Sequence, residues 1–270
     1  MKKRLLILLF LLLALSESFC QIIPGARQVA ISHSDLSFPD DPFSLFNNPA
    51  TTAYVQGRLI GLFYSPAPFG ESSLSTGAGS YIEPTSLGSF SGGFSIYGFD
   101  LYKETKIGLG FSRKVVDKFS VGLTSFYQHI SIKNYGSKGY LFFNLGGIAE
   151  ITKSLRLGFV LENFTRTKIA EEENSIPVAF SGGIGYKAID DLTVYLSIRK
   201  ELNYNASIRI GTEYLLTKFL QVRIGASNEP NIFSGGFSII YDIFQIEYAV
   251  NSHPDLDLSH QFGIVIRLSK

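Results

Sequence analysis

From Gly57 to Leu268 apolar residues recur at every second position, broken by short polar turns, and no run among them is long enough to cross a bilayer as a helix. Ile107, Leu109 and Phe111 form one such series, as do Phe119, Val121 and Leu123, then Leu155, Leu157, Phe159 and Leu161, then Leu192, Val194, Leu196 and Ile198, then Phe262, Ile264, Ile266 and Leu268. Between them stand Gly108, Gly110, Gly122, Arg156, Gly158, Glu162, Arg199, Gly263 and Arg267. Successive side chains of a strand point to opposite faces, so this period of two gives each segment one greasy face and one that is small or charged. A soluble sandwich would turn the greasy face inward, whereas an outer-membrane barrel turns it to lipid and lines its lumen with the other.

The N-terminus selects the second setting. Met1 to Arg4 carry three cationic side chains or ends of chain, Leu5 to Leu15 are almost wholly aliphatic, and small or polar residues follow to Ser18. The apolar core of about eleven residues is too short to span ~30 Å of hydrocarbon as a helix. We read residues 1–20 as a secretory signal peptide cleaved after Cys20, leaving Gln21 first, with a lipoprotein reading of Cys20 disfavoured by Glu17 and Phe19. The mature chain then has no cysteine, and so neither disulfides nor thiolate chemistry. A formal net charge of +1 lacks the basic excess that nucleic-acid binding requires.

Strands are predicted near 56–65, 72–81, 87–99, 103–113, 117–132, 138–150, 154–163, 176–187, 191–199, 205–215, 219–227, 232–241, 243–251 and 258–268. That is an all-β chain, a transmembrane antiparallel barrel of fourteen strands, an even number as single-chain bacterial barrels require. Twelve is the alternative count, since 72–81 and 87–99 are rich in Ser and Gly. Tight turns such as Thr152-Lys153-Ser154 alternate with longer connections at Pro66 to Glu71, Lys133 to Gly139, Asn163 to Ile176 and Asn251 to Asp257, with Glu171 to Glu173 at the tip of the longest. The expected asymmetry places tight turns and both chain ends in the periplasm.

Residues 21–55 are irregular and rich in Pro, Asp, Ser and Asn, and residues 56–270 form the barrel. Gly25-Ala26-Arg27, the acidic pair Asp40-Asp41, and Leu45-Phe46-Asn47-Asn48-Pro49-Ala50 just before the first strand resemble the outer-membrane fatty-acid transporter (FadL-like) superfamily, most closely its short PorV/PorQ-type branch. The resemblance implies that this segment folds into the lumen as a plug, with Asp40, Asp41, Asn48, Pro49 and Ala50 as its motif. Ile31-Ser32-His33-Ser34 departs from the family's glycine-rich run. From the residues alone, Asp41 could cap a short helix beginning at Pro42. On the last strand, Gln261, Gly263, Ile266 and Leu268 are similar to the terminal-strand signal read by the barrel-assembly machinery, although Ser269 and Lys270 follow where an aromatic would end it.

Chemistry-bearing clusters are sparse. His129 and Ser131 share a face, but residues two apart on a strand are about 7 Å apart and no acid completes a triad. His253, Asp255, Asp257 and His260 have metal-ligand chemistry, yet Pro254 marks a solvated loop. We therefore expect no enzyme, cofactor or metal site. Glu150, Arg156, Glu162, Lys187, Arg199, Glu201, Arg209, Glu213, Arg223, Glu247 and Arg267 fall on the polar face. Their mixed signs suit an interior ion-pair network gripping the plug better than a selective conduit. The expected partners are outer-membrane lipid, the barrel-assembly machinery and secretion-system proteins. The resemblance implies a partner-binding role in type IX protein export or outer-membrane organisation, as in PorV-type relatives. The alternative is passive transport of small hydrophobic molecules, as in fatty-acid-transporter relatives; against it stand outer loops mostly four to seven residues long, too short to build a capture groove.

Overall fold

The computed structural model describes residues 23–38, 41–168, 176–254 and 256–268. Fourteen antiparallel strands close on themselves into one barrel. They are β1 (Arg58–Ser65), β2 (Thr76–Pro84), β3 (Ser89–Phe99), β4 (Tyr102–Val116), β5 (Phe119–Ile132), β6 (Gly136–Glu150), β7 (Leu155–Glu162), β8 (Ala179–Ile189), β9 (Leu192–Glu201), β10 (Ser207–Thr217), β11 (Leu220–Ser227), β12 (Ile232–Tyr241), β13 (Phe244–Asn251) and β14 (Ser259–Leu268). Each pairs with its neighbours in sequence, and β1 closes the ring on β14 with Arg58 opposite Leu268 and Tyr64 opposite Phe262. Closure removes both sheet edges, the condition for a β-structure in hydrocarbon.

The alternation sorts side chains as the period of two requires. On β9, Leu196 and Ile198 are exposed on the outside while Thr193, Tyr195 and Ser197 are buried inside. On β5, Ser120, Gly122, Thr124, Phe126 and Gln128 turn inward, and Leu123 and Tyr127 outward.

The connections differ from the sequence expectation at 133–139 and at 72–75, where a strand is expected and β2 begins only at Thr76. The stretch 133–139 is not a long loop: β5 and β6 stay paired from Phe119/Ala149 to Ile132/Gly136, so only Lys133–Tyr135 turn. The alternating apolar pattern weakens at Gly136–Gly139, but the ladder's backbone hydrogen bonds need no apolar side chain to continue. Thus β4, β5 and β6 are the long strands of the barrel, with the tip residue Tyr135 90% exposed. The 66–75 connection is the longer one, folded into two 3-10 turns at Pro68–Gly70 and Ser72–Leu74.

Residues 23–38 and 41–54 lie within the ring. They form two short helices, α1 (Ala26–Ala30) and α2 (Ser44–Asn47), and a 3-10 turn at Pro49–Tyr54. From β1 round to β14, the inward face of every strand meets this segment.

Candidate functional site: the lumen and its N-terminal segment

Glycine makes the room. The inward face of β5 passes so close to the segment that a β-carbon at Gly122 would sit 2.5 Å from the backbone nitrogen of Ala50, and one at Gly61 on β1 would sit 2.5 Å from Pro42. Gly225 on β11 is as close to the carbonyl carbon of Ile31, and Gly158 on β7 to the Leu36 carbonyl. The small residues of the polar face therefore admit another stretch of main chain.

The segment is held in two ways. Its second half, Pro42–Tyr54, packs through rings and aliphatic side chains. Phe43 meets Phe63 of β1 edge-on at 6.1 Å, Phe46 stacks on Phe126 of β5 at 5.6 Å, and Phe126 stacks on Phe142 of β6 at 5.3 Å. Leu45, Tyr140 and Ile176 belong to the same apolar cluster, which also takes in Ala26, Val29 and Ala30. The first half, Ala26–Phe38, is held by charge as well. The Arg27 guanidinium donates to Glu213 of β10 at 2.8 Å, to Asp35 at 2.7 Å and to the Tyr195 hydroxyl of β9 at 3.0 Å. Arg223 of β11 meets the same Glu213 at 2.6 Å and lies 3.7 Å from Glu247 of β13. Isolated buried charges would be costly, and their mutual pairing with hydrogen bonds offsets that cost.

Where the two halves reach the end of the barrel at which β1 starts and β14 ends, cations and rings alternate. Lys114 stands 4.3 Å and Arg156 4.5 Å from the centre of the Tyr54 ring, and Arg156 5.0 Å and Lys187 5.4 Å from that of Phe38. Arg156 also pairs with Glu150 at 2.8 Å. Toward the opposite end, Arg199 pairs with Glu162 at 2.9 Å and with Glu201 at 2.8 Å.

The residues singled out in the sequence fall as follows. Asp41, Asn48, Pro49 and Ala50 are buried in the segment; Asp40 lies outside the described residues, as do the leader 1–20, Asp255 and Glu171–Glu173. Asp41 accepts from the Phe43 amide at 2.7 Å and so caps the turn ahead of α2, whose own N-cap residue is Phe43. Asn48 accepts from the Ala50 amide at 3.0 Å, capping the 3-10 turn that Pro49 opens, and donates to the Leu36 carbonyl at 2.6 Å. On β14, Gln261 and Gly263 face inward, Ile266 and Leu268 alternate with them, and Gly263 makes room for Ala26. His129 and Ser131 lie toward the outer end of β5, with His129 opposite Thr105 and Gly139. His260 joins the Tyr248 hydroxyl at 2.7 Å, and His253 packs on Phe69 at 5.2 Å, so the two histidines engage different partners.

Sequence reasoning passed over Arg27 and Asp35 as site residues, although they form the ionic centre of the lumen. Arg27 was visible only as part of a motif, and its partner Glu213 stands 186 positions away. Burial shifts the segment's own titrating groups. Asp41 is pushed up to about 7, by burial first and then by the Glu247 charge. Asp35 is raised by burial to about 6, and His33 is lowered to about 3 by burial and the Arg209 and Arg199 charges.

One stretch of wall is built differently. β6 and β7 pair only from Leu145–Glu150 to Arg156–Leu161. Beyond that, the outer half of β6 is joined to the chain after β7 by scattered bonds: the Asn163 amide to the Asn144 side chain at 2.9 Å, the Phe164 amide to the Phe143 carbonyl at 3.1 Å, and the Thr167 hydroxyl to the Leu141 carbonyl at 2.9 Å. Immediately inside this notch stand Tyr140, Phe142 and Ile176 of the apolar cluster.

No protein-family model matches the chain, and no curated protein matches it. Solved structures do. The toluene transporter TbuX of Ralstonia pickettii superposes with a TM-score of 0.66 at 14% identity, over 90% of this chain and 97% of that one. The CymD monoaromatic hydrocarbon channel gives 0.71 at 13%, over 94% and 100%. A FadL homologue of Pseudomonas aeruginosa gives 0.65 at 14%, over 92% and 99%. At these identities the likeness is one of fold: this chain shares the closed-barrel architecture of those solved structures.

Proposed function

We propose that the chain is an outer-membrane barrel, delivered by the leader at 1–20 and plugged at mid-height by its N-terminal segment, that passes small apolar molecules sideways through its wall. The observation that carries this reading is the notch between β6 and β7, where ladder bonds stop at Leu145 and Leu161 and the lumen behind is apolar. A plug that meets every strand blocks straight passage, so a solute entering from outside has its exit where, among the described residues, the β6–β7 ladder ends. The barrel family of the solved likenesses supports the same direction, since those proteins are described as hydrocarbon transporters and channels. The test is outer-membrane uptake of a monoaromatic hydrocarbon in cells with and without the chain. Uptake unaffected by its presence would remove the transport reading. N-terminal sequencing of the mature protein, expected to begin at Gln21, tests the leader.

A second reading, service to type IX export by partner binding, is favoured by the long strands β4 to β6 with Tyr135 at their tip. It expects co-purification with secretion proteins from native outer membranes and a secretome altered on deletion.

A further inference from the structure

The outward face of β4, β5 and β6 changes chemistry along its length. Toward mid-height it presents Leu109 and Leu123, both exposed, as a face that meets hydrocarbon must. Register sets the rows that follow toward the strand tips. Ile107, Tyr127 and Leu141 lie side by side, then Thr105 and His129 beside Gly139, then Lys103, Ser131 and Ser137. Paired residues of an antiparallel ladder share a face, and rows two residues apart are about 7 Å apart along the strand. Lys133 comes next, in the turn, with its amide on the Leu101 carbonyl at 2.9 Å. Within about 14 Å of the exposed Tyr127 ring the face therefore passes from aliphatic side chains to cations and hydroxyls.

The protein itself does not answer these groups. Among the described residues no side chain hydrogen-bonds to or pairs with Lys103, His129, Ser131 or Lys133. The outward positions of β4, β5 and β6 carry no acid. The acids nearest in sequence are Asp100, in the turn before β4, and Glu104, which faces inward, is buried and accepts from Gln128 at 2.7 Å.

We infer that this face holds the phosphate of an outer-leaflet lipid, whose acyl chains lie against Ile107, Leu109 and Leu141 below it. A phosphorylated lipid matches both parts of one continuous surface: its chains take the aliphatic rows, and its head takes donors and positive charge just past the ring that marks the head-group level. Lysine stems long enough to lie along the apolar rows carry their ammonium groups to that level. A free anion would meet only exposed lysines in water, where such contacts are worth little. The site is outside the lumen and stands whether or not the barrel carries solute.

The experiment is a titration of the full-length protein in detergent with bisphosphorylated lipid A and with the same lipid stripped of phosphate, read by native mass spectrometry. Wild type should prefer the phosphorylated form by about tenfold or more. Lys103→Gln combined with Lys133→Gln should weaken that form about twentyfold and leave the stripped one unchanged, with heat-modifiable mobility on a gel confirming assembly. Lys118→Gln with Lys218→Gln, in tight turns at the other end of the barrel, removes the same charge and should change neither. Equal affinity for the two lipids, a Lys103/Lys133 double variant that binds as wild type does, or an equal loss from the pair at the other end would each overturn the assignment. Displacement of the lipid by inorganic phosphate would overturn it in favour of a free anion.

Discussion

The two halves of the N-terminal segment occupy one lumen, and the first adds a buried ionic chain to its apolar contacts while the second has apolar contacts without one. Ala26–Phe38 meets the wall from β7 to β14 through Ala30, Ile31, Leu36 and Phe38 and also through a guanidinium, carboxylates and serines, among them the Ser32–Ser234 hydroxyl pair at 2.8 Å. Pro42–Tyr54 meets β1 to β6 through Phe43, Leu45, Phe46, Pro49 and Ala50. An apolar half can seat on any wall of fitting shape, because burial of area has no direction. An ionic half seats only where its partners wait, since a misplaced Arg27 would take the shared cation from Glu213, Asp35 and Tyr195 in a dry site. The contrast teaches that contact with rings supplies adhesion while the Arg27–Glu213–Arg223 chain fixes register.

The largest expected effect breaks the ionic half. Arg27→Ala strips Glu213 and Asp35 of a shared partner in a dry site and should cost about 3–5 kcal/mol of barrel stability. Denaturant unfolding of the detergent-solubilised protein measures it. Phe46→Ala, which opens a cavity beneath the Phe126–Phe142 stack, should cost a similar sum of about 3–5 kcal/mol, without affecting the pairing of Glu213 with Arg223. A loss under about 1 kcal/mol for Arg27→Ala would mean the rings alone hold the segment.

A smaller effect tests inside against outside. Leu196 is 48% exposed on the outer surface of β9, and Leu196→Arg should cost about 2–4 kcal/mol if it sits at the bilayer midplane, read as lost heat-modifiable mobility on a gel. Ser197 next to it faces inward, is buried and crowds Gly183, so an arginine there has no room. The inward-facing position to compare is Ser95 of β3, which shares its face with Ser89 and Ser91 and is only partly buried. Equal damage at Leu196 and Ser95 would say that the face assignment is wrong.

Much of the wall was legible because a period of two survives any sequence in which one face must meet lipid. The strand expected at 232–241 is Ile232–Tyr241, and the one at 243–251 is Phe244–Asn251. Ends were less legible where polar residues extend a ladder, as at Gly136–Gly139. The course of residues 23–54 against particular strands was not legible at all. An irregular segment has no period, and its contacts join positions as distant as Arg27 and Glu213. The inward glycines were a signal available beforehand: small residues at Gly61, Gly122, Gly158 and Gly225 on one face imply something that must approach closely, though not what.

The smallest expected effect probes the joint between the halves. Asn48 does two things with one amide: its oxygen caps the Pro49–Tyr54 turn through the Ala50 amide, and its nitrogen ties that turn to Leu36 in the first half. A cap alone is worth about 1 kcal/mol, with a range of about 0.5–2. Asn48→Asp retains the capping oxygen and loses the donor to Leu36, while Asn48→Ala loses both. If the two halves depend on each other through this residue, Asn48→Asp should be as harmful as Asn48→Ala or more so, because it sets an acid against the Leu36 carbonyl in a buried site. If the halves are independent, Asn48→Asp should stay near wild type and Asn48→Ala should lose only the cap. Unfolding midpoints of the two variants, measured side by side, separate these outcomes.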